Sequence, residues 1–250
     1  MYAIFSATGK AGYATAVSLR KAGMHVRAMV RNESKAAPLR EIGCETAIAD
    51  LFDPETQPSR VLAISDYGAH VKNDIGMPTI CRGLEERLTR IGGHKIFLQS
   101  AEHIQGWERV FPAVKESGTL QTIHYPVDNP LPTISALDLG PIAARLLLRP
   151  LDKSGVDVVH AEGPQRYSAA DVANALGQHL GRSIETSIVP WAQWEELFER
   201  VVKPSLAELL IKANDAQNQG GLVDIGPDSN EVCFGTTTLF DALGQLLMSL

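Results

Sequence analysis

The sequence is short of cysteine and of aromatic residues, and it has no long apolar run. Cys44, Cys81 and Cys233 are its only cysteines, odd in number and far apart, which supports neither a disulfide framework nor a CxxC metal knuckle. No window approaches the run of about 18 apolar residues that a membrane-spanning helix needs. The opening Met1-Tyr2-Ala3-Ile4-Phe5 lacks the basic flank and long apolar stretch of a secretory signal and reads as a strand. A cytoplasmic protein without a membrane partner is expected. There is no H-E-x-x-H, EF-hand loop, G-x-S-x-G elbow or Walker loop, and the seven histidines are scattered without ligand spacing. Zinc protease, calcium sensor, serine hydrolase and P-loop chemistry therefore have no support, and no metal is expected.

What is present is ordinary for a globular chain: 250 residues, 44% hydrophobic and 21% charged. At roughly 150 residues per domain this is one large domain, or a large one with a smaller lobe. The net charge of −6 gives no reason to expect nucleic acid as a partner. Its distribution says more. Residues 1–43 carry seven basic side chains against Glu33 and Glu41, a local +5 that leaves −11 on the remainder. A cationic start on an acidic chain points to a local anion site.

The first fifty residues alternate strand and helix. Tyr2 to Ser6 is a short apolar run entering a glycine-containing loop, and Ala11, Ala14, Val17 and Leu19 then recur at helical spacing up to Gly23. Residues 26–30 form a second strand, Ser34 to Ile42 a second helix, and Thr46 to Ala49 a third strand closing at Asp50. Strand–helix alternation of this kind calls for a parallel sheet with covered faces. Further strands are expected at 60–65, 95–99, 156–160 and 184–189. Further helices are expected at 78–91, 138–148, 168–180, 191–202, 205–217 and 238–247, the third of these opened by the capping-box-like pair Ser168 and Asp171.

The most informative stretch is Ser6-Ala7-Thr8-Gly9-Lys10-Ala11-Gly12, between the first strand and the first helix. Gly9 lets the backbone approach a pyrophosphate, Gly12 lets the helix pack closely on the sheet, and free amides and the helix dipole face the anion. Relative to G-x-x-G-x-x-G the loop is one glycine short, with serine at position 6. At the end of the second strand, where an acidic residue would bond a ribose hydroxyl, stands Arg31 with Lys35 nearby. That pair suits a 2′-phosphate, so NADP(H) is preferred over NAD; solvated surface charge is the alternative.

On these residues, on Val26 to Asn32, on Ala49-Asp50-Leu51 and on the tail from Pro132 to Leu247, the chain resembles the NmrA-like group of atypical short-chain dehydrogenase/reductases. The resemblance implies a Rossmann-type doubly wound parallel sheet in residues 1–125 and a smaller, interleaved substrate lobe in residues 126–250. It also implies that Ser6, Thr8, Gly9, Lys10, Ala11 and Gly12 hold the diphosphate, that Arg31 and Lys35 hold the 2′-phosphate, and that Asp50 and Leu51 border the adenine. Ser65, Tyr67 and His70 would lie beside the nicotinamide. The segment 97–107, with His103 and Trp107, would roof a substrate cleft. Apart from the resemblance, Trp107, Trp191 and Trp194 with Phe97, Phe111 and Phe198 are candidates either for an aromatic cleft suited to a flat ring or for core packing.

Two departures qualify the resemblance. The superfamily's Tyr-x-x-x-Lys pair is absent: Tyr67 is followed four residues later by Val71, with Lys72 one place out. The nearest helix residue is Arg82, which stays protonated and can only position an anion or a ribose, so a proton would come from Tyr67, His70, His103 or solvent. The second departure is a missing strand–helix unit after the third strand. Only residues 51–59 connect to the next strand, enough to span a diagonal of about 22 Å but leaving no crossover helix. Either the strand at 60–65 takes the fourth place, or a deletion has removed part of the cofactor floor, or a further segment is absent from the sequence.

Three functions fit: an NADP(H)-dependent reductase of a planar carbonyl, quinone or enone; a non-catalytic NADP sensor with a regulatory protein partner; and a redox-silent isomerase or cyclase. The expected partner is a small-molecule substrate, with a homodimer as the open alternative for assembly.

Overall fold

Alternating strands and helices in the first 48 residues build one edge of the molecule. The computed structural model describes residues 1–30, 32–48, 59–150, 155–220 and 222–248. It opens with β1 (Tyr2–Ile4), α1 (Lys10–Lys21), β2 (Val26–Val30), a 3₁₀ turn Glu33–Lys35, α2 (Ala37–Glu41) and β3 (Glu45–Ile48). The single helix expected over 34–42 is thus two pieces. Pro38, which has no amide to donate, sits in the first turn of the second piece and sets its start.

The next elements are β4 (Arg60–Asp66), α3 (Met77–Leu88), β5 (His94–Ser100), β6 (Glu102–His103), a 3₁₀ segment Ile104–Val110 and α4 (Phe111–Ser117). There follow β7 (Thr119–Thr122), β8 (Thr133–Ile134), α5 (Leu139–Leu147), β9 (Gly155–Glu162), α6 (Ala169–Leu180) and β10 (Glu185–Ile188). The chain closes with α7 (Trp194–Glu199), α8 (Pro204–Asn218), β11 (Glu231–Phe234) and α9 (Leu239–Met248).

All pairings between these strands are parallel. The sheet is present in two pieces, β3-β2-β1 and β4-β5-β9-β11, and β1 and β4 share no ladder among the described residues. The shortened connection after the third strand falls on 49–58, outside those residues. Helix α5 joins the two pieces. Its Ala144 and Leu147 belong to the core of β1 and β2, while its Leu139, Ile142, Ala143 and Leu146 pack on β4, β5 and β9. Gly140 of α5 lies so close to Ala14 of α1 that a Cβ there would collide with it. Arg60 fastens the start of β4 to the end of α5, donating to the carbonyls of Leu147 at 2.8 Å, Arg149 at 2.6 Å and Pro150 at 2.8 Å.

Side-chain alternation puts helices on both faces. Leu62, Ile64, Ile96 and Leu98 face α5, whereas Ser65 and Gln99 turn toward α3, where Gln99 Nε2 donates to Glu85 at 3.1 Å and Cys81 lies beside Ser65. This is the Rossmann-type doubly wound arrangement. The second half of the chain contributes β9 and β11 to the sheet, and its α6 and α9 pack with the 3₁₀ segment 104–110, α4 and β7 in a core that includes Ile104, Phe111, Leu120, Leu176, Leu239 and Leu243.

Candidate active site

The turn between β1 and α1 has the shape that its sequence lacks a glycine to supply. Ser6 takes φ 54, the left-handed region that a glycine would enter freely, and it is the one non-glycine residue with positive φ among those described. Its carbonyl accepts from the Gly9 amide at 2.9 Å. Gly9 caps α1 in an extended conformation, with no side-chain cap. The first helical bond runs from Tyr13 N to Gly9 O at 2.8 Å, so the amides of Lys10, Ala11 and Gly12 have no partner among the described residues. Ser6, Thr8, Gly9 and Lys10 are exposed, so no described side chain covers the turn. A Cβ on Gly12 would strike the Ser6 carbonyl. Three open amides at a positive helix end, beside a glycine with bare solvent-facing backbone, fit a diphosphate. Lys10 reaches across to Glu108 at 3.0 Å, tying the 3₁₀ segment 104–110 to this turn.

The residues expected to meet the adenosine, Arg31, Asp50 and Leu51, lie outside the described residues. Lys35 closes the 3₁₀ turn after β2 and is exposed. Asn32 Oδ1 shapes that turn by accepting from Ser34 N at 3.0 Å.

The carboxyl end of β4 is crowded and polar. Asp66 Oδ1 accepts from Gly68 N at 3.0 Å. Burial, then the negative charges of Glu102 and Glu85, push the Asp66 carboxyl up to about 6. Ser65 is buried, its Oγ facing Cys81 and Glu85 of α3 without a close hydrogen bond among the described residues. Tyr67 is only 2% exposed. Its hydroxyl makes no close hydrogen bond among the described residues, and burial, followed by the charge of Glu162 and a longer hydrogen-bonding contact with that carboxylate, raises it well above the usual phenol range. The ring stands edge-on to His160 at 4.9 Å. His70 lies beneath Gly226, with its Nδ1 buried and without a partner among the described residues. Arg82 donates from Nη1 to the Val71 carbonyl and has Nε 3.8 Å from Glu86. It fastens the loop after β4 onto α3.

Sequence reasoning missed what covers Tyr67. Arg166 donates to both Asp224 oxygens, at 2.9 and 2.6 Å, and from Nε to Glu162 at 3.1 Å. His160 Nε2 accepts from Gly226 N at 3.1 Å and Nδ1 meets Ser229 Oγ at 3.0 Å. Segment 222–229 is thereby held over the ends of β4 and β9. The i, i+4 spacing of Glu162 and Arg166 was readable; Asp224 carries no local signal.

The segment expected to roof a cleft is largely core. Trp107 is 9% exposed and packs with Ile104, Phe111 and Leu120. His103 Nε2 meets Ser100 Oγ at 3.1 Å, and burial lowers its pKa against the opposing pull of Glu102. The aromatic residues form no common lining. Trp194 and Phe198 belong to a separate cluster with Ile123, Val189 and Ala207, and Trp191 is 64% exposed.

The fold has clear counterparts among solved structures. An NADPH-dependent quinone oxidoreductase from Escherichia coli superposes with a TM-score of 0.80 at 20% identity, over 99% of this chain and 100% of its own. Triphenylmethane reductase from Citrobacter sp. gives 0.77 at 20% identity, over 99% of both chains. Leucoanthocyanidin reductase from Vitis vinifera gives 0.70 at 14% identity, again over 99% of both. The first of these has also been solved with NADPH and the second with NADP(H). No protein-family model and no curated protein matches the sequence. At these identities the likeness is one of fold: the chain has the Rossmann-type fold of NADPH-dependent reductases. Among the described residues no helix is long and apolar enough to cross a membrane.

Proposed function

We propose that the protein is an NADP(H)-dependent oxidoreductase acting on a planar carbonyl, quinone or enone. The observation that carries this reading is the left-handed Ser6, which keeps the diphosphate turn and its three open amides without the usual glycine. In this reading Ser6 to Gly12 cradle the diphosphate, Arg31 with Lys35 holds the 2′-phosphate, Asp50 and Leu51 border the adenine, and Ser65 lies beside the nicotinamide. His103 and Trp107 belong to the substrate side. Bound NADPH supplies a hydride to the electrophilic carbon.

Tyr67 is the hydrogen-bond donor to the reacting oxygen. Its raised pKa keeps the proton on the phenol, so it stabilises the developing oxyanion and solvent completes protonation. His70 lies next to this donor. Arg82, whose guanidinium holds the Val71 carbonyl, positions the loop that carries both.

A second reading, a redox-silent NADP(H) sensor, is favoured by the burial of Tyr67 and by the placement of His70 beneath Gly226. Titration calorimetry with NADPH and NADH on wild type and Arg31→Ala, run beside NADPH oxidation against a quinone panel, separates the readings. The reductase predicts turnover and a loss of NADPH affinity of about 1.5–3 kcal/mol in the variant, with NADH little changed. Tight binding without turnover selects the sensor. Absence of binding by either nucleotide removes both and leaves a redox-silent isomerase or cyclase.

A further inference from the structure

Tyr67 and His70 are roofed by a short piece of chain that is held by polar contacts rather than by packing. On one side of it Leu222 and Val223 pack with Val71, Ile75 and Ala216. On the other, Asn230 is bonded to β9, its amide donating to the Val158 carbonyl at 2.8 Å and its Oδ1 accepting from Val158 N at 2.7 Å. Between these anchors, in residues 224–229, only Gly226 is buried, and Ile225 is 40% exposed. Two fastenings hold the piece down. Arg166 grips both Asp224 oxygens, at 2.9 and 2.6 Å. His160 Nε2 accepts from Gly226 N, so the ring proton sits on Nδ1 and is donated to Ser229 Oγ, which donates in turn to the Glu231 carbonyl at 3.3 Å.

Closure leaves polar atoms dry beneath it. His70 Nδ1 has no partner among the described residues, and the Tyr67 hydroxyl has only its long contact with Glu162. Buried polar atoms without close partners oppose the closed form, and opening hydrates them. Against that stand an ion pair whose side chains are 32% and 35% exposed and histidine bonds that water can replace, with little apolar area to lose. A segment with so few buried apolar contacts opens locally, well below the cost of unfolding the domain. Tyr67, at 2% exposure, meets no ligand while the segment is down. We propose that residues 224–229 form a hinged strap over Tyr67 and His70 and that the Arg166–Asp224 pair is its latch, so that a ligand reaches Tyr67 only after Asp224 lets go. Arg166 stays behind, because Glu162 of β9 accepts from its Nε at 3.1 Å. What the strap admits rests on the reductase reading, in which Tyr67 faces the reacting oxygen; that it opens does not.

The test nitrates the five tyrosines of the full chain with tetranitromethane, without nicotinamide or quinone, and locates the products by mass spectrometry. Tyr167 is the control for global unfolding: it is 7% exposed, packs in the core with Leu176 and Leu239, and lies outside the strap. In wild type Tyr67 should react faster than Tyr167, although it is the more deeply buried of the two. Asp224→Asn keeps the shape of the side chain and an acceptor for Ile225 N but removes the charge; it should speed nitration of Tyr67 about tenfold. Gly226→Ala places a methyl 3.0 Å from the His70 ring and should lift the strap from below. Tyr167 should stay unmoved in both variants. Wild-type Tyr67 reacting no faster than Tyr167, or the two tyrosines accelerating together in the variants, would overturn the strap. A Tyr67 rate that ignores Asp224→Asn would overturn the latch, whatever Gly226→Ala does. If neither variant folds, the order of the two tyrosines in wild type decides. Because cofactor is absent throughout, failure here is separable from failure of the NADPH titration, which bears on the reductase reading alone.

Discussion

The Ser6 carbonyl oxygen accepts the Gly9 amide at 2.9 Å and also occupies the place that a side chain on Gly12 would need. One oxygen therefore sets both the shape of the turn and the closeness of α1 to β1. Gly12→Ala forces that oxygen or the helix to move. Overpacking of this kind costs about 1–3 kcal/mol. The expected outcome is a lowered thermal midpoint together with weaker NADPH binding, since a displaced carbonyl also redirects the three open amides. An unaltered midpoint would mean that the helix shifts freely and that the turn is not rigid.

Ser6 makes the converse prediction. An L-residue in the left-handed region is disfavoured by about 1–2 kcal/mol, and glycine removes that penalty while adding entropy to the unfolded chain. Ser6→Gly should stabilise the protein by about 0.5–1 kcal/mol in urea titrations and leave NADPH affinity intact. A destabilised variant would show that the serine side chain makes a contribution its backbone strain conceals.

These two positions were legible because the turn is local: seven consecutive residues define it. The same holds for α6, where Ser168 Oγ accepts from Asp171 N at 3.1 Å and Asp171 Oδ2 accepts from Ser168 N at 2.8 Å, as the paired residue types foretell. Legibility fails where the signal is short or distant. The 3₁₀ segment Ile104–Val110 has no 3.6-residue repeat to read. Helix α4, although announced by Pro112 and stopped by Gly118 at φ 73, is only seven residues long. Between an aromatic cleft and core packing the sequence does not choose, because residue type does not say which partner a ring packs on. Trp194 and Phe198 chose Ile123 and Val189. The cover over Tyr67 depends on Asp224 meeting Arg166, a pairing fixed by topology.

Two buried groups give opposite pH dependences. Asp66 is raised from 3.8 to about 6 by burial and neighbouring carboxylates, so it binds its proton more tightly when folded. Its contribution to stability is full below 3.8 and is lost as pH rises through about 6. His160 is lowered from 6.5 to about 4 by burial and by His70, so its contribution is full above 6.5 and is lost as pH falls through about 4. At about 1.4 kcal/mol per pKa unit, each amounts to on the order of 2–3 kcal/mol across the shared window, and in wild type they largely cancel. Asp66→Asn, which keeps an acceptor for Gly68 N, should uncover stability that climbs with pH between 4 and 6.5. His160→Gln should uncover stability that declines over the same range. Urea midpoints at pH 4.5, 5.5 and 6.5 measure both slopes, and variants that run parallel to wild type would refute the pairing.

Tyr67→Phe separates folding from chemistry at the proposed donor. The hydroxyl is buried and makes no close hydrogen bond among the described residues, so deleting it relieves desolvation at the loss of only a long contact with Glu162, and the variant should be about 1 kcal/mol more stable than wild type. If the same hydroxyl stabilises the reacting oxygen, quinone reduction should fall about a hundredfold while the Kd for NADPH stays unchanged. Gain of stability with loss of turnover is the pattern of a group kept for function at the expense of the fold. A stabilised variant with undiminished turnover would remove Tyr67 from the reaction and leave solvent as the proton source. A destabilised variant would mean that the hydroxyl is bonded in solution, with the Glu162 carboxylate, whose charge already acts on it, as the acceptor.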